Sequence, residues 1–158
     1  MPTSSKSTPP PAAASVCHCS LLRRVTRQVT QYYDTALASS GLTISQYALL
    51  SNVDRCGTNL PTVNELAAAM GMDRSTLGHN LRPLERDHLV ELTSSEDDRR
   101  TRRIGLTTKG REKLLETRPL WQKAQGAFDT AAGETLTAKL RKILLEISAV
   151  ELLQAEAA

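Results

Sequence analysis

Aromatic side chains are scarce in this sequence: one Trp, three Tyr and one Phe make up 3% of 158 residues. A core must then be built from Leu, Val, Ile and Ala, which favours helix packed on helix over an aromatic-rich β-sandwich. Long apolar runs are lacking too; none approaches the roughly 18–20 residues that a membrane span needs. The N-terminus has no signal-peptide hydrophobic stretch, so the expected location is cytoplasmic, with no membrane partner. Three cysteines, an odd number in such a chain, argue against a disulfide scaffold. Neither sign of charge dominates. Lys+Arg number 20 against 17 Asp+Glu, a net +3, so the placement of charge says more than its sum.

What is present is helical periodicity punctuated by glycine. Residues 1–15, MPTSSKSTPPPAAAS, bury too little apolar surface to offset ordering entropy and are expected to be a disordered tail. From Val16 to about Ala38, the residues Leu22, Val25, Val29, Tyr32 or Tyr33, and Ala36 recur at helical spacing. After Gly41, a second helix is predicted from near Thr43, with Ile44, Tyr47, Leu50 and Val53 on one face, ending before Cys56-Gly57. In "PTVNELAAAMG", Thr62 and Glu65 have capping-box spacing, Val63, Leu66, Ala67 and Met70 form a stripe, and Gly71 supplies a left-handed stop. Another helix opens at Asp73 as N-cap. "DRSTLGHNLRPLERDHL" places Leu77, Leu81, Leu84 and His88 on one face and Ser75, His79, Arg82 and Arg86 opposite, with Thr76 beside them.

Two short helices joined by a tight turn make either a helix-turn-helix or an ordinary αα-hairpin with a solvated polar face. The next residues favour the first. "LVELT" (Leu89–Thr93) and "RIGLT" (Arg103–Thr107) read as strands flanking a loop where Glu96, Asp97 and Asp98 adjoin Arg99, Arg100 and Arg102. That is a winged helix. An arginine on the hairpin can enter the narrow, electronegative minor groove of A-T-rich DNA, and Asp97 or Asp98 can pair with a neighbour to fix which arginine faces outward. Residues 108–128 and 134–156 read as two long helices. The last carries Leu136, Leu140, Ile143, Leu144, Ile147 and Val150 on a broad apolar stripe that needs a partner helix. The expected fold is mainly α with a small β-hairpin wing.

The runs "NELAAAMGMDRSTLGHNLRPLERDHLVEL" and "DDRRTRRIGLTTKGREKL", with "GLTISQYALL" ahead of them, resemble the MarR (multiple antibiotic resistance regulator) transcription factors over about residues 16–155. Asp98-x-Arg100, followed by Leu106-Thr107 and Gly110, matches the family's wing and the start of its next helix. The resemblance implies a domain over 16–158: a winged helix-turn-helix at about 43–107, flanked by dimerisation helices at about 16–38 and 108–156. It implies a homodimer on a pseudo-palindromic operator in double-stranded DNA, acting as a sequence-specific regulator, by expectation a repressor, with no cofactor. The Asp73–Arg86 helix would enter the major groove, with Ser75 and Thr76 on phosphates and Arg74, His79 and Arg82 towards base edges, Arg86 nearby. Arg99, Arg100 and Arg102 would serve the wing, positioned by Asp98. Pro83 removes a backbone donor and predicts a bend near His79.

"VCHCSLLRR" opens the first helix and leaves three readings: interface packing, metal binding, and redox sensing. A fourth metal ligand is not evident. In the family branch that senses organic hydroperoxides, the reactive cysteine lies near the start of the first helix, fourteen residues before a tyrosine, as Cys19 stands before Tyr33. Cys17 or, equally, a small thiol would trap the oxidised product. Arg23 replaces a second tyrosine of that branch, and no cysteine follows Cys56. The family's other effectors are small aromatic acids or phenols, for which Arg27, Tyr32, Tyr47 and Trp121, with Tyr33, are the candidate contacts.

An enzyme and a non-DNA-binding dimeric adaptor are the alternatives. His18, His79 and His88 have no Ser or Cys nucleophile in a recognisable local signature, and His88 is expected on an apolar helix face. No Gly-rich phosphate loop or zinc-spacing motif occurs. An adaptor would have no use for an arginine-rich wing.

Overall fold

The computed structural model describes residues 17–94 and 102–150. The predicted tail (1–15), the loop with Asp97, Asp98, Arg99 and Arg100, and the predicted helical residues 151–156 lie outside the described residues. The chain falls into two units, 1–32 and 33–158. In the first, Cys17 caps helix α1 (His18–Leu37): the Leu21 amide donates to the Cys17 carbonyl at 3.1 Å. Leu21, Leu22, Val25 and Tyr32 are exposed.

In the second unit, α1 ends with Tyr33 and Leu37 buried, and Gly41, at φ 74°, turns the chain after a short 3-10 turn. Helix α2 (Ile44–Arg55) starts with a reciprocal capping box between Thr43 and Gln46. Helix α3 (Val63–Ala69) has the predicted Thr62–Glu65 box, and Gly71 adopts φ 61°. Helix α4 (Arg74–Arg86) follows, capped by Asp73. Strands β1 (Val90–Ser94) and β2 (Arg102–Leu106) pair antiparallel, Val90 opposite Leu106 and Ser94 opposite Arg102. Helix α5 (Thr108–Ala132) and helix α6 (Glu134–Ser148) are separated by Gly133 at φ 81°.

Leu37, Leu49, Leu50, Leu66, Leu77, Leu84, Ile104 and Leu114 are almost fully buried and form one cluster. Each contributes about 1.5–3 kcal/mol of burial. The aliphatic core expected from the shortage of aromatics is therefore present, and it seats α4 against α2 and α3. Among the described residues no helix is long and apolar enough to cross a membrane.

One expectation is corrected. His88 is exposed, lies past the end of α4 and sits at φ 56°, a left-handed stop that breaks the helical period before its spacing can place it on the apolar face. Pro83 lies inside α4, which stays helical to Arg86.

Candidate nucleic-acid interface and effector cleft

Leu77, Leu81 and Leu84 bury one face of α4, which leaves Arg74, His79, Arg82 and Arg86 exposed on the rest. The helix start is rigidly capped. The Asp73 carboxylate accepts the Thr76 amide at 2.8 Å, the Thr76 hydroxyl at 2.6 Å and the Ser75 hydroxyl at 2.6 Å. The Ser75 hydroxyl, followed by the Thr76 groups, holds this carboxyl well below the usual carboxylate range. Both hydroxyl protons are thus engaged by Asp73, so a phosphate would have to exchange with that carboxylate to receive them. At the other end, Arg86 donates to Asp87 through Nε at 2.9 Å and Nη2 at 3.4 Å, which damps its charge. Arg74, His79 and Arg82 are exposed along the same helix.

Of the wing arginines, Arg102 is described and exposed at the start of β2. Its neighbour Arg103, not among the expected contacts, donates from Nη1 to the Leu60 carbonyl at 2.6 Å. Nothing in a run of four arginines distinguishes it by sequence. The wing's other end is tied to α5. The Thr107 hydroxyl donates to the His88 carbonyl at 2.7 Å and accepts the Gly110 amide at 2.9 Å. Lys109 Nζ donates to the Asp87 carbonyl at 2.9 Å.

A cleft of about 380 Å³ opens between α2 and α5, lined among others by Tyr47, Ser51, Asn52, Arg118 and Trp121. Tyr47 and Trp121 stack with centroids 5.8 Å apart and planes 26° off parallel. Arg118 reaches Asp54 at 3.3 Å. Burial pushes the Tyr47 phenol up, and Arg118 partly offsets this. Two of the expected effector residues are therefore brought together, and Arg118 supplies a cation that sequence spacing did not reveal. Arg27 and Tyr32 are exposed on α1. Tyr33 is buried and donates to Gln125 at 2.7 Å, and Gln125 donates to Asp129 at 3.1 Å.

All three cysteines are exposed. The Ser20 amide, then its hydroxyl, lowers the pKa of Cys17. The residue that caps the helix start is thus Cys17, while Cys19 lies within the first turn of α1.

Residues 40–101 match the model of the MarR family. The chain is 35% identical to the M. tuberculosis transcriptional regulator MosR, solved in complex with DNA, over 86% of this chain and 99% of that one, with a TM-score of 0.73. This chain belongs to the MarR family. It is also similar to the transcriptional repressor CouR bound to a 23-mer DNA duplex, at 25% identity over 84% of this chain and 92% of that one, TM-score 0.75. CouR from Rhodococcus jostii RHA1 bound to p-coumaroyl-CoA matches at 25% identity over 83% and 91%, TM-score 0.69. No curated protein sequence matches. Membership in the MarR family accounts for the mainly helical chain with its two-stranded wing, and the proteins it resembles are transcriptional regulators.

Proposed function

We propose that this MarR-family chain is a cytoplasmic, DNA-binding repressor that meets a pseudo-palindromic operator as a homodimer and is released by an effector. The observation that carries this reading is the exposed face of α4, where Arg74, His79 and Arg82 stand clear of a leucine face locked into the core. Arg74, His79 and Arg82 address base edges in the major groove; Ser75, Thr76 and Arg86 serve its flanks. Arg99, Arg100 and Arg102 take the wing to the minor groove, with Asp98 orienting them. Dimerisation uses α1, α5 and α6. Leu136, Ile143, Leu144 and Leu145 are at least 47% exposed, which an isolated protomer would leave in water. A two-fold dimer covers them and sets two α4 helices about one DNA turn apart. The family and its regulators favour this over the enzyme and adaptor alternatives.

Selection of duplexes from a random pool, followed by affinity measured across a salt series, tests the reading. Arg82→Ala is expected to relax preference at one base position at a cost of about 1–3 kcal/mol. Arg100→Ala should weaken all duplexes alike and reduce the salt slope by about one unit. No enrichment by the wild type, or unchanged affinity and preference in both variants, refutes it.

For the effector, the α2–α5 cleft supports a small aromatic acid, stacked on Tyr47 and Trp121 with its carboxylate on Arg118 in place of Asp54. Cys17, rather than the Cys19 that the family spacing suggests, supports a second reading, an organic hydroperoxide: its thiol is exposed and the Ser20 hydrogen bonds lower its pKa. The thiolate takes the terminal peroxide oxygen to become a sulfenic acid, the O–O bond breaks and the alcohol leaves; Cys19 or a small thiol then condenses with the sulfenic acid and releases water.

A further inference from the structure

Alone, β1 and β2 are a two-stranded ribbon, which is marginal unless packed. The far edge of β2 meets the segment that precedes α3. The Ile104 amide donates to the Pro61 carbonyl at 2.9 Å, and Arg103 pairs with Thr62 in an antiparallel bridge. One side chain reinforces this edge: the Arg103 guanidinium on the Leu60 carbonyl, at 2.6 Å and 43 residues away in sequence. The same segment starts the helix-turn-helix. The Thr62 amide donates to Glu65 at 2.7 Å as the α3 cap, and α3 packs on α4. Arg103 also lies close enough to Glu65 to favour its carboxylate, after the stronger Thr62 bonds. Arg102 and Arg103 are adjacent on a strand, so their side chains leave opposite faces. Arg102 is exposed and Arg103 is half-buried.

We infer that Arg103 is a positioning residue, fixing the base of the wing against the α3–α4 pair rather than contacting DNA. The inference rests on the DNA-binding reading above. An α4 helix and a wing must meet adjacent grooves of one rigid duplex, so the angle between them limits how many contacts form together. The Arg103 bond is charge-assisted and spans the joint between those two parts. Without it, the half-buried Leu60 carbonyl loses its charged donor, and the Ile104–Pro61 backbone bond holds that edge.

A double-mutant cycle in the full chain tests this, on a duplex that the wild type selects from a random pool. Arg103→Ala is expected to weaken binding about tenfold, as loss of a charge-assisted bond would. In a chain already carrying Arg99→Ala and Arg100→Ala, the same change should cost less than about twofold, because the DNA contacts proposed for those arginines are gone. In the free protein, the Ile104 amide should exchange faster in Arg103→Ala while the Leu77 and Leu81 amides keep wild-type protection. Equal losses in both backgrounds would mean that Arg103 touches DNA itself. That result, the absence of any loss, or unchanged Ile104 exchange each overturns the inference. If Arg103→Ala does not fold by circular dichroism, Arg103→Met, which keeps the aliphatic stem, goes through the same cycle with the same expectations. If the wild type enriches no duplex, the DNA-binding reading falls and this one with it; if it enriches one and the cycle is additive, this one falls alone.

Discussion

Gly110→Ala isolates the joint between the wing and α5. Gly110 is buried in the first turn of α5, and a Cβ built there would fall on the Leu89 carbonyl oxygen, with the carbonyl carbon at 2.9 Å and Leu89 Cα at 3.3 Å. These atoms are backbone and cannot swing aside as a side-chain tip would. They also anchor the α5 cap: the Thr107 amide donates to Leu89 at 3.2 Å and the Gly110 amide donates to the Thr107 hydroxyl at 2.9 Å. Alanine gains about 1 kcal/mol of helix propensity. Forcing α5 away from Leu89 costs about 1–3 kcal/mol, and loosening the cap costs about 1 kcal/mol more. The net is a destabilisation of about 1–3 kcal/mol, a fall in Tm of about 3–10 °C. Thermal melts at equal protomer concentration measure it, since a dimer's Tm depends on concentration. Gly126→Ala is the control. It lies in the same helix with nothing within 4 Å of the added Cβ, so it should stabilise. A Gly110→Ala protein that melts at or above the wild-type temperature would refute the close approach.

Asp73 has a depressed folded-state pKa, so its contribution is complete above the unfolded carboxyl value and lost as pH falls through the folded one. The stability gap between wild type and Asp73→Ala in urea should therefore persist through neutral pH and close only in strong acid; a gap that closes near pH 5 would contradict the capping geometry. Sedimentation should give a dimer of the 17.2 kDa chain, and Leu144→Asp should shift it towards monomer; a stable wild-type monomer at micromolar concentration would remove the dimer. Organic hydroperoxide should release DNA from the wild type, more slowly from Cys17→Ser than from Cys19→Ser, and not from the double variant. Release from the double variant would leave the α2–α5 cleft as the effector site.

Much of the fold was legible because its signals are local. A threonine three residues before a glutamate caps α3, an aspartate opens α4, glycines at positive φ stop helices, and leucines at helical spacing mark the buried face of α4. Such contacts join residues within a turn or so of each other, so sequence distance stands for spatial distance. His88 failed for the same reason: its spacing continued the leucine period, but the helix had ended two residues earlier, at Arg86. The Thr43–Gln46 box was equally local and equally readable, yet was not anticipated.

By itself, then, the sequence determined the order of helices and strands, the leucine faces that make the core, and the polar face of α4. The tertiary structure alone decided which polar groups are engaged. It stacked Tyr47 on Trp121, gave Arg118 to Asp54, turned Arg103 back onto Leu60 and closed Gly110 against Leu89. Each of these contacts joins elements far apart in the chain, and no residue period encodes them. They exist because packing the aliphatic core fixes the angles between helices, and those angles set which side chains meet.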